Sequence, residues 1–187
     1  MPSLSTTNSY LQRLIGAMSL NAAIYEEVEA DRTATGQALA TVLLSSVAAG
    51  IGSRGIEAPS LTSIIFISTV SLIAWVAWAL LTFEIGGRLM PEPQTRVDAG
   101  ELLRTIGFAA SPGILRFFRF IPFLGPLLSF VVGIWIVAAM IIAIRQALDY
   151  KSIGRAAVVC LIAWFVSILM GIVFGAMLLM SAGSLFY

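Results

Sequence analysis

The side chains best suited to chemistry lie in one short acidic run, Glu26, Glu27, Glu29 and Asp31. Glu27 and Asp31 stand four residues apart, so they share a face if this run is helical, and such a carboxylate pair could hold a divalent cation. The alternatives are a solvated helix end, or carboxylates that pair with cations on the same face of the protein. We favour these alternatives and therefore predict no metal site. The expected cationic partners are Arg145, Lys151 and Arg155.

Other reaction chemistry has few candidate residues in this chain. There is no histidine, which removes the commonest general base and most transition-metal sites. The one cysteine, Cys160, cannot build a zinc or iron–sulfur site alone. The sequence has neither a glycine-rich phosphate loop nor a nucleophile elbow. We therefore expect a protein that is not an enzyme and holds no cofactor, and the net charge of +1 gives no basic surface for nucleic acid.

Four long uncharged stretches define the elements that must position these groups. They cover residues 33–53, 58–83, 120–144 and 156–187, and each is long enough for an α-helix to cross a bilayer core of about 30 Å. Hydrophobic residues make up 59% of the chain and charged residues 11%, so the expected fold class is an all-α integral membrane bundle. The predicted crossings are 33–52, with Thr33 available as its cap, 61–83, 121–144 and 156–180.

A weaker apolar segment lies between the second and third of these stretches. Asp98 and Glu101 have the spacing of a capping box, which predicts a helix that begins there and continues through residue 109. Pro112 should break or kink this helix, because proline removes a helical hydrogen bond and clashes with the preceding turn. We expect the segment to be an additional, broken crossing. A re-entrant or surface segment at about 102–118 is the alternative.

Apolar side chains recur at helical spacing between Tyr10 and Tyr25, whereas Gln12, Arg13 and Asn21 fall elsewhere on the wheel. This pattern predicts an amphipathic amino-terminal helix that either lies on the membrane surface or packs against the other helices. The expected organisation is a cytoplasmic amphipathic helix with the acidic segment (1–32), a domain of five transmembrane helices (33–180) and a short tail (181–187).

The positions of lysine and arginine indicate the orientation. With five crossings and a cytoplasmic amino terminus, eight of the 11 cations lie inside and three, Arg54, Arg116 and Arg119, lie outside. With four crossings the division becomes seven to four. The positive-inside rule therefore favours five crossings, with the amino terminus in the cytoplasm and the carboxyl terminus outside.

Two further patterns concern the apolar stretches. Gly171 and Gly175 are a small-residue pair that predicts close helix packing, either within one chain or between two copies. No ionisable residue lies at the centre of a strong crossing, which argues against ion-coupled transport. The tryptophans lie in mid-segment, where we expect core packing and where a pocket for an apolar ligand is the alternative; they are Trp75, Trp78, Trp135 and Trp164.

Several stretches of the chain resemble one family. They are 25–31 (YEEVEAD) leading into 34–39 (ATGQAL), 101–109 (ELLRTIGFA) leading into 111–112, the helix of Trp135, and 143–150 (AIRQALDY). Together they are similar to the bacterial branch of the Yip family (Ypt/Rab-GTPase-interacting, Yip-one domain membrane proteins), over residues 10–175. The resemblance implies a five-crossing helical domain with a cytoplasmic amino terminus, in a bacterial inner membrane.

The eukaryotic relatives in that family are associated with Rab GTPases, vesicle formation and membrane shaping. This chain has residues 23–27 (AIYEE) where they carry Asp-Leu-Tyr-Gly-Pro, so Rab binding is not expected.

The sequence thus predicts a non-enzymatic membrane protein that organises membrane or scaffolds partner proteins. The alternatives are a protein that binds or transports a lipid or other apolar molecule near Pro112 and the tryptophans, and an accessory subunit of a larger membrane complex. Expected partners are membrane lipids and either a second copy or another membrane protein, with no nucleic acid. The predicted polar contact face comprises Glu26, Glu27, Asp31, Arg104, Arg145, Asp149 and Arg155.

Overall fold

A computed structural model of the chain describes residues 8–54 and 60–183, with side chains over 8–52 and 60–173, and this part is helical without strands. Its α-helices are α1 (Tyr10–Met18), α2 (Ala22–Ala30), α3 (Thr35–Arg54), α4 (Leu61–Thr82), α5 (Ala99–Ala109), α6 (Leu124–Ala147) and α7 (Ile153–Gly183). A 3-10 turn, Arg32–Ala34, leads into α3, a π-helical segment, Phe83–Leu89, continues α4, and a 3-10 helix, Ser111–Phe120, follows α5. The predicted loop residues Glu57 and Pro59, and residues 184–187 of the predicted tail, lie outside the described residues.

Four helical stretches are long and apolar enough to cross a membrane: Arg32–Gly52, Leu61–Leu89, Leu124–Ala147 and Ile153–Val173. They coincide with the four uncharged stretches. Only 6% of the most apolar 18-residue part of the α4 stretch is buried inside the protein. Its exposed side chains include Leu61, Phe66 and Ile73. Helices that expose so much apolar surface are typical of a lipid environment. The chain is therefore an all-helical, apolar protein of the membrane type.

The weaker segment folds as two short helices of different kinds. The predicted capping box is confirmed: Asp98 accepts a hydrogen bond from the Glu101 amide at 2.8 Å, and Glu101 accepts one from the Asp98 amide at 2.8 Å. The α-helix ends at Ala109, and the chain continues from Ser111 as the 3-10 helix, with Pro112 near its start. With 11 residues, α5 is only about 16 Å long and is not among the four candidate spans.

Glycines bring α5 and the 3-10 helix against α3 along its length. A Cβ added at Gly107 would lie 2.7 Å from the Cβ of Ala38, and one added at Gly113 would lie 2.0 Å from the Oγ of Ser45. At the far end, a Cβ on Gly52 would lie 2.0 Å from the carbonyl oxygen of Arg116. The two segments therefore run side by side in the same direction from Ala38 to Gly52, a rise of about 21 Å along α3.

Contacts between loops define two ends of the bundle. At the first end, Gln146 donates to Glu26 at 2.7 Å and Thr95 donates to the Leu148 carbonyl at 2.8 Å, so α2, the α4–α5 loop and the α6–α7 turn meet there. The second end holds Gly52 and Gly125, which both approach the backbone of the 3-10 helix. Consequently α3, α5 and α7 begin at the first end, whereas α4 and α6 return to it.

The prediction of one amphipathic helix from Tyr10 to Tyr25 is wrong, because the chain breaks there into α1 and α2. Leu20 adopts a positive φ of 59°, which no helix continues through, and the Asn21 side chain caps α2 by accepting from the Ala23 amide at 3.1 Å. Two such short helices joined by a tight turn form an antiparallel helical hairpin, α1–α2.

Two local predictions also need correction or refinement. Thr33 does not cap the first crossing; Asp31 does, because its carboxylate accepts from the Thr33 amide at 2.9 Å and from the Thr33 hydroxyl at 2.6 Å. A Cβ added at Gly171 would meet nothing within 4 Å, so this glycine makes no close helix contact with the described side chains. Gly175 lies beyond the residues whose side chains are described, and contact of the pair with a second copy stays a prediction.

Candidate functional site

The hairpin α1–α2 is held by a buried ion-pair cluster around Arg13. The Arg13 side chain is 1% exposed, and its Nε lies 2.9 Å from Glu27 Oε1 while its Nη2 lies 2.6 Å from Asp31 Oδ2. Its third nitrogen donates to the Gln37 side chain at 3.0 Å. One guanidinium thus ties α1 to α2 and to the first turn of α3. Hydrogen bonds to every nitrogen offset the cost of burying this charge.

The carboxylates of this cluster are stabilised in their charged form. Burial opposes ionisation of Glu27, but hydrogen bonds from Asn8 and Arg13 outweigh it and lower the pKa of Glu27. Hydrogen bonds from Thr33 and then Arg13 lower the pKa of Asp31 to about 2. A lowered carboxyl pKa means that Asp31 stabilises the fold above its ordinary pKa of 3.8 and that this contribution is lost as the pH falls towards 2.

The tip of the hairpin reaches deep into the bundle. The indole Nε1 of Trp135, in α6, donates to the carbonyl of Met18 at 2.7 Å, and Trp135 lies twelve residues before Ala147, the last residue of α6, which corresponds to about 18 Å along the helix. Nearer the amino terminus, the Tyr10 hydroxyl lies 3.1 Å from the Thr41 hydroxyl. The carboxyl end of α1 therefore lies near mid-height of α6 and packs within the bundle.

The other end of the hairpin is fixed by Arg104 of α5. This side chain is buried and donates from Nε to the carbonyls of Val28 and Glu29, each at 3.0 Å. These carbonyls belong to the last turn of α2, where no helical amide remains to bond them and where a cation is favoured by the helix dipole. Arg104 therefore caps α2 and is not part of an exposed contact face.

The loop between α4 and α5 is anchored to the α6–α7 turn. The Tyr150 hydroxyl lies 2.8 Å from the carbonyl oxygens of both Gly86 and Met90, and it can donate a hydrogen bond to either of them. Arg155 donates to the carbonyls of Met90 and Pro91 at 3.1 Å. The sequence offered no signal for Tyr150 beyond its place next to a turn, because its acceptors lie in an irregular helical end far away in the chain.

A polar cleft of about 410 Å³ remains on the surface of the first end, between α2 and the end of α6. Glu29 is half-buried there, and burial followed by the charges of Glu101, Asp149 and Glu26 raises the pKa of Glu29 to about 7. The cleft also contains a cation without full pairing: Nε of Arg145 is buried and has no hydrogen-bond partner within the described chain. The polar residues that line the cleft are Glu26, Glu29, Arg145, Gln146, Asp149 and Lys151.

The predicted polar contact face thus divides into separate groups. Glu27 and Asp31 pair with Arg13, Arg104 caps α2, and Arg155 holds the α4–α5 loop; the remaining members, Glu26, Arg145 and Asp149, line the polar cleft. The prediction that a carboxylate of the acidic run pairs with Arg145, Lys151 or Arg155 is wrong over the described residues, where the ion pairs of this run go to Arg13. The link to α6 is a hydrogen bond from the Gln146 side-chain amide to the Glu26 carboxylate, not an ion pair.

Sequence reasoning missed Arg13 because a helical wheel places it with Gln12 on the presumed solvent side. Its burial depends on the turn at Leu20, which folds α2 back and brings two carboxylates to the cation. The only signal for this pairing was composition: Arg13 is the single cation in the first 31 residues, which hold four carboxylates.

A second, larger cleft of about 1000 Å³ opens in the middle of the bundle. It lies between α4 on one side and α6 and α7 on the other, with walls from α3, α5 and the 3-10 helix. Three of the four tryptophans, Trp75, Trp78 and Trp164, line it, whereas Trp135 is bonded to the hairpin. A volume at the upper end of the range for ligand pockets, with mainly apolar walls, suits a large apolar or amphiphilic molecule.

Among the side chains that the structure describes, residues 8–52 and 60–173, no group of three or more carboxylates and thiols could hold a metal ion.

Comparison with known proteins identifies the family. The Yip1 domain matches residues 16–175. The chain belongs to the Yip1 domain family. No curated protein and no solved structure matches it.

The Yip1 domain of this chain begins within α1 and includes α2 to α6 and the described side chains of α7. Glu27, Asp31 and Arg104 lie inside the matched range, whereas Arg13 precedes it by three residues. The hairpin is therefore built partly by the domain and partly by residues in front of it.

We predict that Arg13→Met destabilises the Yip1 domain by about 3–5 kcal/mol, because it leaves two half-buried carboxylates without their cation. The matched control is Arg88→Met, which breaks an exposed pair with Glu84 and should cost at most ~1 kcal/mol. Thermal unfolding of the full chain in mild detergent measures both. Adding Glu27→Gln and Asp31→Asn to Arg13→Met should recover part of the loss. Equal losses for Arg13→Met and Arg88→Met would contradict the buried pairing.

We also predict that stability falls between pH 4.5 and about 7 because of Glu29. Its pKa is raised from 4.5 to about 7 by folding, so the folded state binds a proton that the unfolded state releases. The contribution of Glu29 to stability is therefore fully present below pH 4.5 and is lost as the pH rises towards 7. Glu29→Gln should remove a loss of at least ~1 kcal/mol across this window, measured as thermal unfolding against pH. The control Glu84→Gln, an exposed carboxylate, should keep the slope of the unmodified chain; persistence of that slope in Glu29→Gln would exclude Glu29 as its source.

Proposed function

We propose that this Yip1-domain chain is a non-enzymatic, five-crossing membrane protein that organises the bilayer around it and can serve as a scaffold for partner proteins. Its amino terminus would lie in the cytoplasm of a bacterial cell and its carboxyl terminus outside the inner membrane. The single observation that carries the proposal is the hairpin α1–α2, whose tip is bonded to Trp135 about 18 Å from the end of α6.

The five crossings are supported by the course of α5 and the 3-10 helix. Together they follow α3 from Ala38 to Gly52 in the same direction, although neither helix is long enough alone. A broken helix is tolerated at membrane depth where neighbouring helices surround it, and Ser111, Pro112 and Gly113 at the break are buried between α3 and α6. An odd number of passes also agrees with the excess of Lys and Arg at the first end.

The hairpin is suited to occupy one leaflet. Half of a bilayer core is about 15 Å thick, which is close to the depth that its tip reaches. Leu11 and Ile15 of α1 remain exposed while Arg13 on the opposite side is buried, an arrangement that is favourable in lipid and unfavourable in water. A helical pair that adds area to one leaflet only favours curvature or a particular lipid packing around the protein.

A scaffold role is supported by the polar cleft at the same end. Its charges, among them Glu29, Arg145 and Lys151, are only partly paired within the described chain, so a partner of mixed charge could complete them. Such contacts contribute specificity more than affinity.

The second candidate function is binding or transport of a lipid. The specific observation in its favour is the central cleft of about 1000 Å³, which is open between α4 and the α6–α7 pair and is lined by three tryptophans.

The five-crossing topology predicts that the two termini lie on opposite sides of the membrane. A reporter domain that is active on only one side of the membrane can be fused before Met1 in one fusion protein and after Tyr187 in another. The two fusions should give opposite results in cells. The same signal from both ends would instead indicate an even number of crossings.

The hairpin predicts that the purified full chain reduces the mean diameter of vesicles into which it is reconstituted, measured by electron cryomicroscopy at fixed protein-to-lipid ratio. Leu11→Ala with Ile15→Ala should weaken this effect at least twofold. Leu61 and Ile65 of α4 give a matched control, since they are the same residue types at the same spacing with 74% and 58% exposure against 62% and 55% for Leu11 and Ile15.

Replacement of the α4 pair by alanine should leave the vesicle diameter as with the unmodified chain. If both pairs have the same effect, or neither does, the hairpin is not what shapes the membrane.

A further inference from the structure

The central cleft is chemically uneven along its length. Its wall carries Arg116, from the 3-10 helix near the second end, and the hydroxyl groups of Ser45 and Ser71 at about mid-length of α3 and α4, whereas much of the remainder is lined by Trp75, Trp78 and other apolar side chains. A cavity with a cationic, hydroxyl-bearing region and an apolar remainder is complementary to an amphiphile, with a polar head and a hydrocarbon tail.

Arg116 is the charged group in this cleft, and the described chain does not neutralise it. Its side chain is half-buried, and within residues 8–52 and 60–173 it has no ion-pair or hydrogen-bond partner. Arg119 lies near enough to add like-charge repulsion. The carboxylates of the described residues lie at the first end of the bundle, and Glu57 lies outside the described residues. A half-buried cation in this setting favours an anionic ligand.

The hydroxyl groups of Ser45 and Ser71 are two further hydrogen-bond donors in the wall of the cleft. Neither Ser45 nor Ser71 has a hydrogen-bond partner in the described chain, unlike Ser46 and Ser129, whose hydroxyls donate to the carbonyls four residues earlier at 2.8 and 2.7 Å. Ser45 packs on Gly113, one turn of 3-10 helix before Arg116. Its hydroxyl is therefore available to donate to a molecule in the cleft, for example to an ester carbonyl.

The opening of the cleft indicates the source of the ligand. The lining side chains Phe130, Ile134 and Trp164 are also well exposed on the outer surface of α6 and α7, in stretches that are candidate membrane spans. A molecule from a surrounding bilayer would therefore reach this cleft sideways, between α4 and the α6–α7 pair.

We propose that the central cleft binds a membrane phospholipid with an anionic headgroup, whose phosphate lies at Arg116 and whose acyl chain extends along Trp75 and Trp78. This inference rests on the second candidate function, lipid binding, and adds the headgroup chemistry and the residue that selects it. The lipid would enter from the leaflet opposite the hairpin.

The test uses quenching of tryptophan fluorescence in the full chain by phospholipids with brominated acyl chains. Brominated phosphatidylglycerol is compared with brominated phosphatidylcholine of the same chains, and the ratio of their binding constants gives the headgroup preference. The unmodified chain should prefer phosphatidylglycerol at least tenfold. Arg116→Gln should reduce this ratio to near one, whereas Arg119→Gln, which changes a neighbouring cation that does not line the cleft, should keep most of it.

A second pair of variants tests occupancy of the cleft separately from headgroup choice. Gly133 lines the cleft and Gly171 does not, and a Cβ at either position would meet nothing within 4 Å. Gly133→Leu should therefore fill the cleft and lower quenching by both lipids, while Gly171→Leu should not. If Gly133→Leu has no effect, the cleft holds no lipid and the second candidate function fails together with this inference.

The remaining outcomes concern the headgroup alone. If Gly133→Leu blocks both lipids but Arg116→Gln keeps the preference, the cleft binds lipid and the assignment of Arg116 is overturned. Equal losses in Arg116→Gln and Arg119→Gln would indicate general surface attraction, and competition by glycerol phosphate as strong as by the lipid would indicate a soluble anion. If the preference for phosphatidylglycerol arises only after Glu57→Gln, Arg116 is already paired within the chain. Each of these results overturns the proposal.

Discussion

The backbone carbonyls at helix ends set the main constraint on this fold. A helix that ends inside an apolar bundle leaves carbonyls without amide partners, and lipid cannot supply the hydrogen bonds that water would. In this protein long side chains do so. Trp135 bonds Met18, Arg104 bonds Val28 and Glu29, and Tyr150 reaches Gly86 and Met90. Each bond joins segments far apart in sequence, so the same contacts that satisfy the backbone also determine the tertiary arrangement.

The ion-pair cluster of the hairpin meets the corresponding requirement for a buried charge. A guanidinium as buried as that of Arg13 is unfavourable unless each of its nitrogens has an acceptor. Glu27 of α2, Asp31 between α2 and the 3-10 turn, and Gln37 of α3 provide these acceptors. The pairing can form only when α1 folds back on α2 and α2 turns into α3, which specifies one arrangement of α1, α2 and the start of α3.

The sequence predicts the parts of this fold that depend on the composition of a stretch or on residues close together in the chain. Uncharged stretches locate the four candidate spans, and the short-range rules of capping identify the start of α5 at Asp98. These signals need only neighbours in the chain. The role of Arg13 cannot be derived in this way, because a helical wheel assigns any cation to the polar side and the acceptors come from other helices. The sequence likewise predicts Arg104 on a contact face, since nothing local indicates that the free carbonyls of α2 lie beside it.

The α5 segment connects the two regions to which functions are assigned here. At one end Arg104 caps α2 and so supports the hairpin; at the other, the 3-10 helix carries Arg116 into the central cleft. A ligand in the cleft could shift the hairpin only if this segment slid along α3. Gly107 and Gly113 oppose such sliding, because their missing side chains allow backbone contact with α3 that fits one register, and a shift would bring larger side chains against it. The two regions are therefore joined by a rigid element, and occupation of the cleft would stabilise the bundle as a whole and leave the hairpin in place.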